Sequence, residues 1–277
     1  LIQMKDNRLI SIKNTLLISL LVFTLWSCKN DDNEIVKRNW ELVWQDEFNT
    51  PGAPDAAKWT YDIGNGPNND GWGNAELQSY TNRAENIVIA DGKLKITAIK
   101  NGNAFTSARI KTQGLFEQGY GRIEASIKLP YGPGIWPAFW MIGNDVNTKG
   151  WPQCGEIDIM EGRGQEPNII HGTVHGPGYS GGAAITASYG LQNARFDTDY
   201  HLFAVEWTEN CIDFYVDDVL YSRITPEKVT GNWVYDHPFF IILNVAVGGN
   251  YVGWPTTSTP FPQTMYVDYV KVYKEVK

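Results

Sequence analysis

Three carboxylates stand close together in the stretch Gly155-Glu156-Ile157-Asp158-Ile159-Met160-Glu161-Gly162. The β-branched and apolar residues between them are typical of a strand, in which alternate side chains point to opposite faces. Glu156 and Asp158 then share one face, while Ile157 and Ile159 point into a core. Regular alternation would send Glu161 into that core, so we predict one extra residue, a β-bulge, that returns Glu161 to the acidic face.

The spacing of the two glutamates predicts chemistry on a glycosidic bond. With the bulge discounted, their backbones are about 13 Å apart at about 3.3 Å per strand residue. Side chains that lean inward bring the carboxyl groups to about 5–5.5 Å, the separation found in a retaining glycosidase. Asp158 lies between them and raises the pKa of a neighbour by like charge. A solvated acidic strand face is the alternative, but three like charges destabilise a sheet unless something compensates them.

Several stretches together resemble a known family. Gly155–Gly162 is similar to the catalytic signature of glycoside hydrolase family 16, in the bulged form of its laminarinases, which cut β-1,3-glucan. The resemblance covers nearly all of Trp40–Tyr273, and it also rests on Gly71–Thr81, Ser107–Gln113, Tyr120–Pro130, Gly134–Met141 and His171–Gly176. It implies an endo-acting, retaining enzyme in which Glu156 is the nucleophile and Glu161 the acid and base. Asp158 would orient Glu156 and help to keep Glu161 protonated.

Other stretches show the same short-strand pattern, with turns between them. Strands are predicted over Trp40–Asp46, Asn86–Ala90, Lys93–Ile99, Gly119–Lys128, Ala138–Ile142, Glu156–Met160, Ile169–Val174, His201–Trp207, Cys211–Val216, Phe239–Val247 and Met265–Tyr273. No long helical period and no internal repeat interrupts them. This pattern indicates an all-β sandwich or barrel. The resemblance selects a β-jelly roll of two stacked antiparallel sheets with a concave substrate cleft.

Length and composition fit this fold class. The chain has 277 residues, enough for one sizeable core, and 43% of them are hydrophobic. Its net charge of −8 argues against nucleic acid as a partner, because nucleic-acid binding needs a basic patch. A neutral polysaccharide is compatible with this charge, and we expect a monomer that binds one.

The N-terminal residues have the pattern of an export signal. Lys5, Arg8 and Lys13 precede or border the mostly apolar stretch Thr15–Trp26. That stretch is too short to be a comfortable transmembrane helix, and a basic segment followed by a short apolar one is typical of a signal peptide.

A lipid anchor is predicted by resemblance. Leu25-Trp26-Ser27-Cys28 is similar to a bacterial lipobox, which implies that residues 1–27 are a lipoprotein signal peptide and that Cys28 carries the lipid. Residues 28–39 are then a flexible tether and residues 40–277 the catalytic domain. The expected location is the bacterial outer membrane, at the cell surface. An ordinary secretory signal with an incidental cysteine is the alternative.

Two further cysteines, Cys154 and Cys211, would lie outside the cytoplasm, where a disulfide is allowed. The sequence leaves open whether their backbones come within bridging distance. A nucleophilic Cys154 would need a cysteine–histidine arrangement, and the sequence offers none.

The pair His171 and His175 has the spacing of a helical metal site. On a strand the two residues are about 13 Å apart, too far to bind one ion together, so a zinc site is rejected. We expect His175 to project into the cleft and bond a sugar hydroxyl or the side chain of Glu161. A structural histidine with its own partners is the alternative.

Aromatic and polar residues are expected to bind the sugar. Trp136, Trp140 and Trp151 lie near the acids in the chain, and indole faces stack on sugar rings while the N–H remains available for hydroxyls. Packing in the core is the alternative for these tryptophans. The resemblance implies that Asn74 and Arg109 contact the glycone side of the substrate, with a solvated arginine as the alternative for Arg109.

The resemblance also implies a structural calcium ion on the convex face, bound by hard oxygen ligands. The matching positions are Glu47, the backbone oxygen of Gly92, and Asp268. The chemistry itself is expected to need no cofactor.

Other functions stay open at this point. The same fold and acids occur in enzymes that cut mixed-linkage β-glucan or red-algal galactans, and cleft loops decide between these substrates. A transglycosylase has the same acids but favours a sugar acceptor over water. A non-catalytic carbohydrate-binding jelly roll would share the fold and the aromatic residues, but it has no reason to keep two glutamates beside an aspartate.

Overall fold

The computed structural model describes residues 35–276, so the predicted signal peptide and Cys28 lie outside the described residues. The strands are β1 (Asn39–Asp46), β2 (Thr60–Asp62), β3 (Gln78–Tyr80), β4 (Ile87–Ala90), β5 (Lys93–Asn101), β6 (Ala104–Ser107), β7 (Arg109–Lys111), β8 (Gly121–Lys128), β9 (Ile135–Gly143), β10 (Glu156–Gly162), β11 (Ile169–His175), β12 (Ile185–Gly190), β13 (His201–Thr208), β14 (Cys211–Val216), β15 (Val219–Ile224), β16 (Phe239–Val247) and β17 (Gln263–Val276). In the described part of the chain, helical structure is limited to single turns at Gly71–Ala75, Val146–Lys149, Gly181–Ala183 and Pro226–Lys228. Within residues 35–276, no helix has the length and apolar character needed to cross a membrane.

The strands form two stacked sheets, which confirms the predicted sandwich. One sheet has ten strands in the order β15-β14-β13-β8-β17-β5-β6-β3, with β1 paired to β17 and β4 to β5. The other has seven strands in the order β12-β11-β10-β9-β16-β7-β2. The predicted antiparallel pairing holds with one exception, because β3 and β6 run parallel.

The two faces of each strand explain its sequence pattern. In β5 buried and partly exposed residues alternate, since its outer face meets solvent. In β16 every residue is buried, and the strand is an almost continuous apolar run. Phe239 and Ile241 join the main core between the sheets, whereas Phe240 and Ile242 pack in a second, smaller cluster on the other face. A strand covered on both faces therefore needs apolar residues at consecutive positions.

The predicted strands all appear, and the strands that were not predicted are short or lie at sheet edges. Strands β2, β3, β6 and β7 have only three or four residues, too few to show a period. Strands β12 and β15 are the outermost strands of their sheets, and most of their residues are exposed or only partly buried. Edge strands depend on a neighbour for their conformation, so their own sequences carry a weak signal.

The predicted tether is too long at its C-terminal end. Asn39 already opens β1 and pairs with Val276 of β17. The side chain of Arg38 is only 5% exposed, and its Nη1 atom lies 2.6 Å from Oε2 of Glu206 in β13. The folded domain therefore begins no later than Arg38, because a buried ion pair attaches this residue to the ten-stranded sheet.

Candidate active site

The predicted bulge in β10 is confirmed. Against β9 the register shifts between Asp158 and Met160, and against β11 it shifts between Asp158 and Glu161. Ile159 and Met160 both belong to the main core, although they are consecutive. The extra core-facing residue returns Glu161 to the face that carries Glu156 and Asp158.

His175 lies at one end of the row of three acids, Glu156, Asp158 and Glu161. It lies directly across from Glu156 on β11, and its Nε2 atom is 3.2 Å from Oδ2 of Asp158 and 3.6 Å from Oε1 of Glu156. The backbone N–H of Gly181 donates to Nδ1 at 3.1 Å, so in the neutral ring the proton is on Nε2, the nitrogen that lies near the two carboxylates. Of the two partners expected for His175, the side chain of Glu161 is not the one that its ring meets, because Nε2 lies beside Asp158 and Glu156; a bond to a sugar hydroxyl stays a prediction.

Neutral donors hold Glu161 at the opposite end. The indole Nε1–H of Trp136 donates to Oε1 of Glu161 at 3.0 Å. The hydroxyl of Thr173 donates to Oε2 at 3.4 Å, and the hydroxyl of Thr186 lies 3.1 Å from that of Thr173. Both carboxylate oxygens of Glu161 are therefore oriented by side chains from neighbouring strands.

Burial changes the acidity of all three carboxyl groups. It is the largest cause of a raised pKa for Glu156, Asp158 and Glu161. The negative charge of Asp158 raises the pKa of Glu156 further, and that of Glu161 does the same for Asp158. His175 and the hydrogen bond from Trp136 act in the opposite direction on Glu161. Such a site favours keeping a proton among its carboxyl groups, as a general acid requires.

Arg109 lies between two indoles rather than free in the cleft. Its guanidinium carbon is 4.8 Å from the ring centre of Trp72 and 4.7 Å from that of Trp140. Its Nε atom is 2.9 Å from Oδ2 of Asp62 on β2. Cation–π contacts and this ion pair fix the group at the end of the cleft formed by β7 and β2.

Asn74 is oriented by a buried acid that the sequence analysis did not single out. Its Nδ2–H donates to Oε1 of Glu76 at 3.2 Å, and Gln78 and Tyr80 donate to the other oxygen of Glu76. Burial raises the pKa of Glu76. The hydrogen bond to Glu76 fixes the orientation of the Asn74 side chain. Gly71 allows this tight turn, since a Cβ at its positive φ would collide with the backbone of Glu76.

The other predicted aromatic residues lie on the same face of the sheet or beside it. The Nε1–H of Trp140 donates to Oδ1 of Asn244 at 2.8 Å. Trp151 is 46% exposed, and its ring centre is 5.8 Å from that of His175. Trp136 packs against Tyr251, with ring centres 5.0 Å apart.

Several site residues were missed by sequence reasoning, for two reasons. Trp72 and Glu76 lie in the stretch Gly71–Thr81, which carried the resemblance, and could have been found there. Thr173 lies midway between two histidines on the same strand face, so alternation places it toward the acids. Asn244 and Tyr251 gave no signal, because an apolar strand and a loop bring them to the site only in the folded chain.

His171 and His175 do not share a ligand. The Nδ1 atom of His171 lies 3.0 Å from the hydroxyl of Ser188, and its Nε2 atom lies 3.7 Å from Oε2 of Glu166. His175 meets Asp158 and Glu156 instead. The two histidines therefore interact with different side chains.

The three predicted calcium positions lie close together, but the carboxylates of Glu47 and Asp268 already form ion pairs with lysines. Strand registers bring Glu47 and Gly92 to the part of β17 that holds Asp268. Oε1 of Glu47 lies 2.9 Å from Nζ of Lys271, and Asp268 forms an ion pair with Lys93. Because each carboxylate already carries an ammonium group, the donor set as it stands does not fit a calcium ion.

Both cysteines of the described part, Cys154 and Cys211, are buried, and no disulfide joins them to each other. Burial, with the nearby charge of Glu156, raises the pKa of Cys154 to about 11. A thiol with so high a pKa is a poor nucleophile at neutral pH.

Comparisons with known proteins agree with this geometry. A profile of the family described as glycosyl hydrolases family 16 matches residues 74–271. The chain is similar to a beta-glucanase of Rhodothermus marinus, with 44% identity over 255 residues that cover 86% of this chain and 87% of that protein. It is similar to glucan endo-1,3-beta-glucosidase A1 of Niallia circulans, with 40% identity over 84% of this chain and 38% of that longer protein. The solved laminarinase catalytic domain of Thermotoga maritima matches at 47% identity with a TM-score of 0.81, over 86% of this chain and 100% of that domain.

Proposed function

The chain belongs to glycosyl hydrolase family 16, and we propose that it is an endo-acting β-1,3-glucanase that retains the anomeric configuration. One observation carries the mechanism. The bulge in β10 puts Glu156 and Glu161 on one face with Asp158 between them. Two carboxyl groups flanking a glycosidic bond, one ionised and one protonated, are the requirement for a double displacement.

In the first step the carboxylate of Glu156 attacks the anomeric carbon from the face opposite the leaving group. The bond to the glycosidic oxygen breaks, and Glu161 gives its proton to that oxygen. The product is a glycosyl ester on Glu156. In the second step a water molecule attacks the same carbon, Glu161 takes a proton from the water, and the carboxylate of Glu156 leaves.

Asp158 and His175 support the nucleophile. The Nε2 atom of His175, which carries the proton in the neutral ring, lies 3.2 Å from Oδ2 of Asp158 and 3.6 Å from Oε1 of Glu156. This contact favours negative charge at the His175 end of the row, where Glu156 must be ionised. The charge on Asp158 disfavours ionisation of Glu161, so the acid keeps its proton until the leaving group takes it.

Residues beside the three acids are expected to contact the substrate. We propose that the rings of Trp136, Trp140 and Trp151 stack on sugar rings, and that the amide oxygen of Asn74 accepts from a glycone hydroxyl. Arg109 contributes to binding chiefly by holding Trp140 in place, because its charge is already paired with Asp62.

A screen across laminarin, lichenan, agarose and carrageenan tests the substrate. We expect the highest specific activity on laminarin, with shorter oligosaccharides as products. Higher activity on agarose would move the substrate to a galactan, and higher activity on lichenan would move it to mixed-linkage glucan. Products longer than a supplied oligosaccharide would identify a transglycosylase, and binding without cleavage would identify a carbohydrate-binding module.

We further propose that the protein is exported, anchored by a lipid on Cys28 to the bacterial outer membrane at the cell surface, and active as a monomer. The support is the basic, apolar and lipobox-like pattern of residues 5–28. The intact protein is then expected in the membrane fraction, and Cys28→Ala is expected to release soluble, active enzyme. Retention of that variant in membranes would contradict the lipid anchor, since stable anchoring requires the acyl chains.

A further inference from the structure

Trp136 and Trp140 lie on the same face of β9, yet their indole N–H groups have different partners. The N–H of Trp136 donates to the carboxylate of Glu161 on β10 at 3.0 Å. The N–H of Trp140 donates to the amide oxygen of Asn244 on β16 at 2.8 Å. Both acceptors are cross-strand neighbours of Ala138, the small residue midway between the two indoles. One indole therefore meets a titrating group and the other a neutral one.

We propose that Trp136 is a positioning residue for the general acid: its indole N–H holds the carboxylate form of Glu161 and lowers the pH at which this acid loses its proton. The ring face of Trp136 remains available to the sugar. This inference rests on the proposed function, because it assumes that Glu161 transfers the proton.

The chemistry gives a reason for such a bond. A hydrogen bond donated to a carboxylate stabilises its ionised form, so it lowers the pKa that burial has raised. Glu161 must give up a proton in the first step and accept one in the second. A carboxyl group whose pKa is raised by burial alone would hold its proton too tightly to give it to the leaving group in the first step. The indole counteracts part of that effect without adding a charge to the site.

Other groups also face Glu161, and a Trp136 variant leaves them unchanged. Thr173 on β11 donates to its second oxygen. Seven titratable or charged groups on β10, β11, β15 and two loops interact electrostatically with Glu161 or lie across from it. They are Glu156, Asp158, His171, His175, Arg163, Tyr221 and Tyr251. The effect of the indole is therefore one contribution among several, and a matched variant is needed to isolate it.

The experiment compares Trp136→Phe with Trp140→Phe in the pH dependence of kcat/KM on laminarin. Each variant removes one indole N–H and keeps an aromatic ring on the same strand. The alkaline limb of kcat/KM reports the ionisation of the acid in the free enzyme. We expect it to move upward by about one pH unit in Trp136→Phe, since a lost bond to a charged group is worth a shift of that order. In Trp140→Phe the limb stays at the wild-type pH, whatever happens to the rate.

A second measurement separates proton transfer from packing. An aryl β-laminaribioside with an acidic phenol needs no proton on its leaving group in the first step. On this substrate the alkaline limb due to Glu161 should disappear in wild type and in Trp136→Phe alike. If Trp136→Phe folds poorly, benzothienylalanine at position 136 keeps the two-ring shape and lacks the N–H, so it should show the same upward shift.

The outcomes are distinguishable. An unshifted alkaline limb in Trp136→Phe or in the benzothienylalanine variant, on an enzyme that cleaves laminarin, overturns this inference and leaves the proposed function intact. An equal shift in Trp140→Phe also overturns it, because the effect would then come from ring packing. Failure of the wild type to cleave laminarin or the aryl substrate removes the proposed function itself.

Discussion

The two sheets both bury carboxylates, but they treat them differently. On the ten-stranded sheet, Asp213 is fully buried and its two oxygens lie 2.6 Å and 2.8 Å from the guanidinium of Arg223. Glu206 on the same sheet meets Arg38 at 2.6 Å and Arg122 at 3.2 Å. Each acid has an arginine in bonding geometry, which is the condition under which a buried charge is tolerated.

On the seven-stranded sheet the acids have weaker partners. Glu156 and Asp158 pair with a single histidine, His175, and Glu161 accepts from the neutral donors Trp136 and Thr173. Burial raises the pKa of all three carboxyl groups. The difference teaches that burial of an acid does not by itself mark a functional site. A functional site is indicated where buried acids face each other without an arginine or lysine within hydrogen-bonding distance.

The largest effect on activity is expected from replacing Glu156 or Glu161, and the two variants should lose activity in different ways. Glu156→Ala removes the nucleophile, so no glycosyl-enzyme forms. Glu161→Ala should lower kcat/KM on laminarin on the order of 10²–10⁴-fold, yet it should still complete the first step on an aryl β-glucoside with an acidic phenol. Added azide should then give a β-azide from Glu161→Ala by net retention. From Glu156→Ala, azide in the vacant nucleophile site should give an α-azide by single inversion.

The anomeric configuration of each azide is readable by NMR. The same anomer from both variants, or the reverse pairing, would show that the assignment of nucleophile and acid is wrong. A Glu41→Gln variant, altered in an exposed pair with Lys274, serves as the control and should behave as wild type.

The next effect tests the ten-stranded sheet. Asp213→Asn removes a negative charge from a pair whose side chains are 0% and 1% exposed, and breaking such a pair costs about 3–5 kcal/mol of unfolding free energy. At about 2–4 °C per kcal/mol for a domain of this size, the melting temperature should fall by about 10 °C. Denaturant unfolding measures the change, with Glu41→Gln again expected within about 0.5 kcal/mol of wild type. A loss no larger than that of the control would mean that the buried pair adds little to stability.

A smaller effect is expected on the seven-stranded sheet, where the contribution of the buried acid Asp158 to the free energy of unfolding depends on pH. The native pKa of Asp158 lies well above its ordinary value of 3.8, so the folded state binds this proton more tightly than the unfolded state. Its contribution to stability is complete below that ordinary value and is lost as pH rises through the raised native pKa. The slope for one proton is at most about 1.4 kcal/mol per pH unit.

Asp158→Asn removes this titration. Its unfolding free energy should therefore fall less steeply than that of wild type as pH rises from about 4. Urea unfolding at a series of pH values measures both slopes. Equal slopes would indicate that Asp158 is ionised in the native state with an ordinary pKa.

The smallest effect concerns calcium. An ion that binds only the folded state raises the melting temperature, but here it has to displace Lys271 from Glu47 and Lys93 from Asp268. We expect a shift of about 1 °C or less between calcium and chelator in wild type. The double variant Lys93→Ala, Lys271→Ala frees both carboxylates and should respond more strongly. No response in either protein would remove Glu47, Gly92 and Asp268 as a calcium site.

Local patterns in the sequence were sufficient for the main strands and for the row of acids Glu156, Asp158 and Glu161. Alternation alone placed Glu156 and Asp158 on one face, and the cost of burying Glu161 among apolar residues demanded the bulge. The contact of His175 could not be predicted in the same way. Its ring orientation depends on the N–H of Gly181, in a turn whose position relative to β11 only the folded loop defines.

The sequence by itself determined the all-β class, the main strands and the face on which the acids lie, because strand periodicity and turn residues act over a few neighbouring positions. Only the tertiary structure decided which atom each polar side chain meets. Trp136 and Trp140 stand on the same face of one strand and look equivalent in the sequence. They differ because β10 brings Glu161 to one side of Ala138 while β16 brings Asn244 to the other. Partners of this kind come from strands that are distant in the chain, so no local pattern contains them.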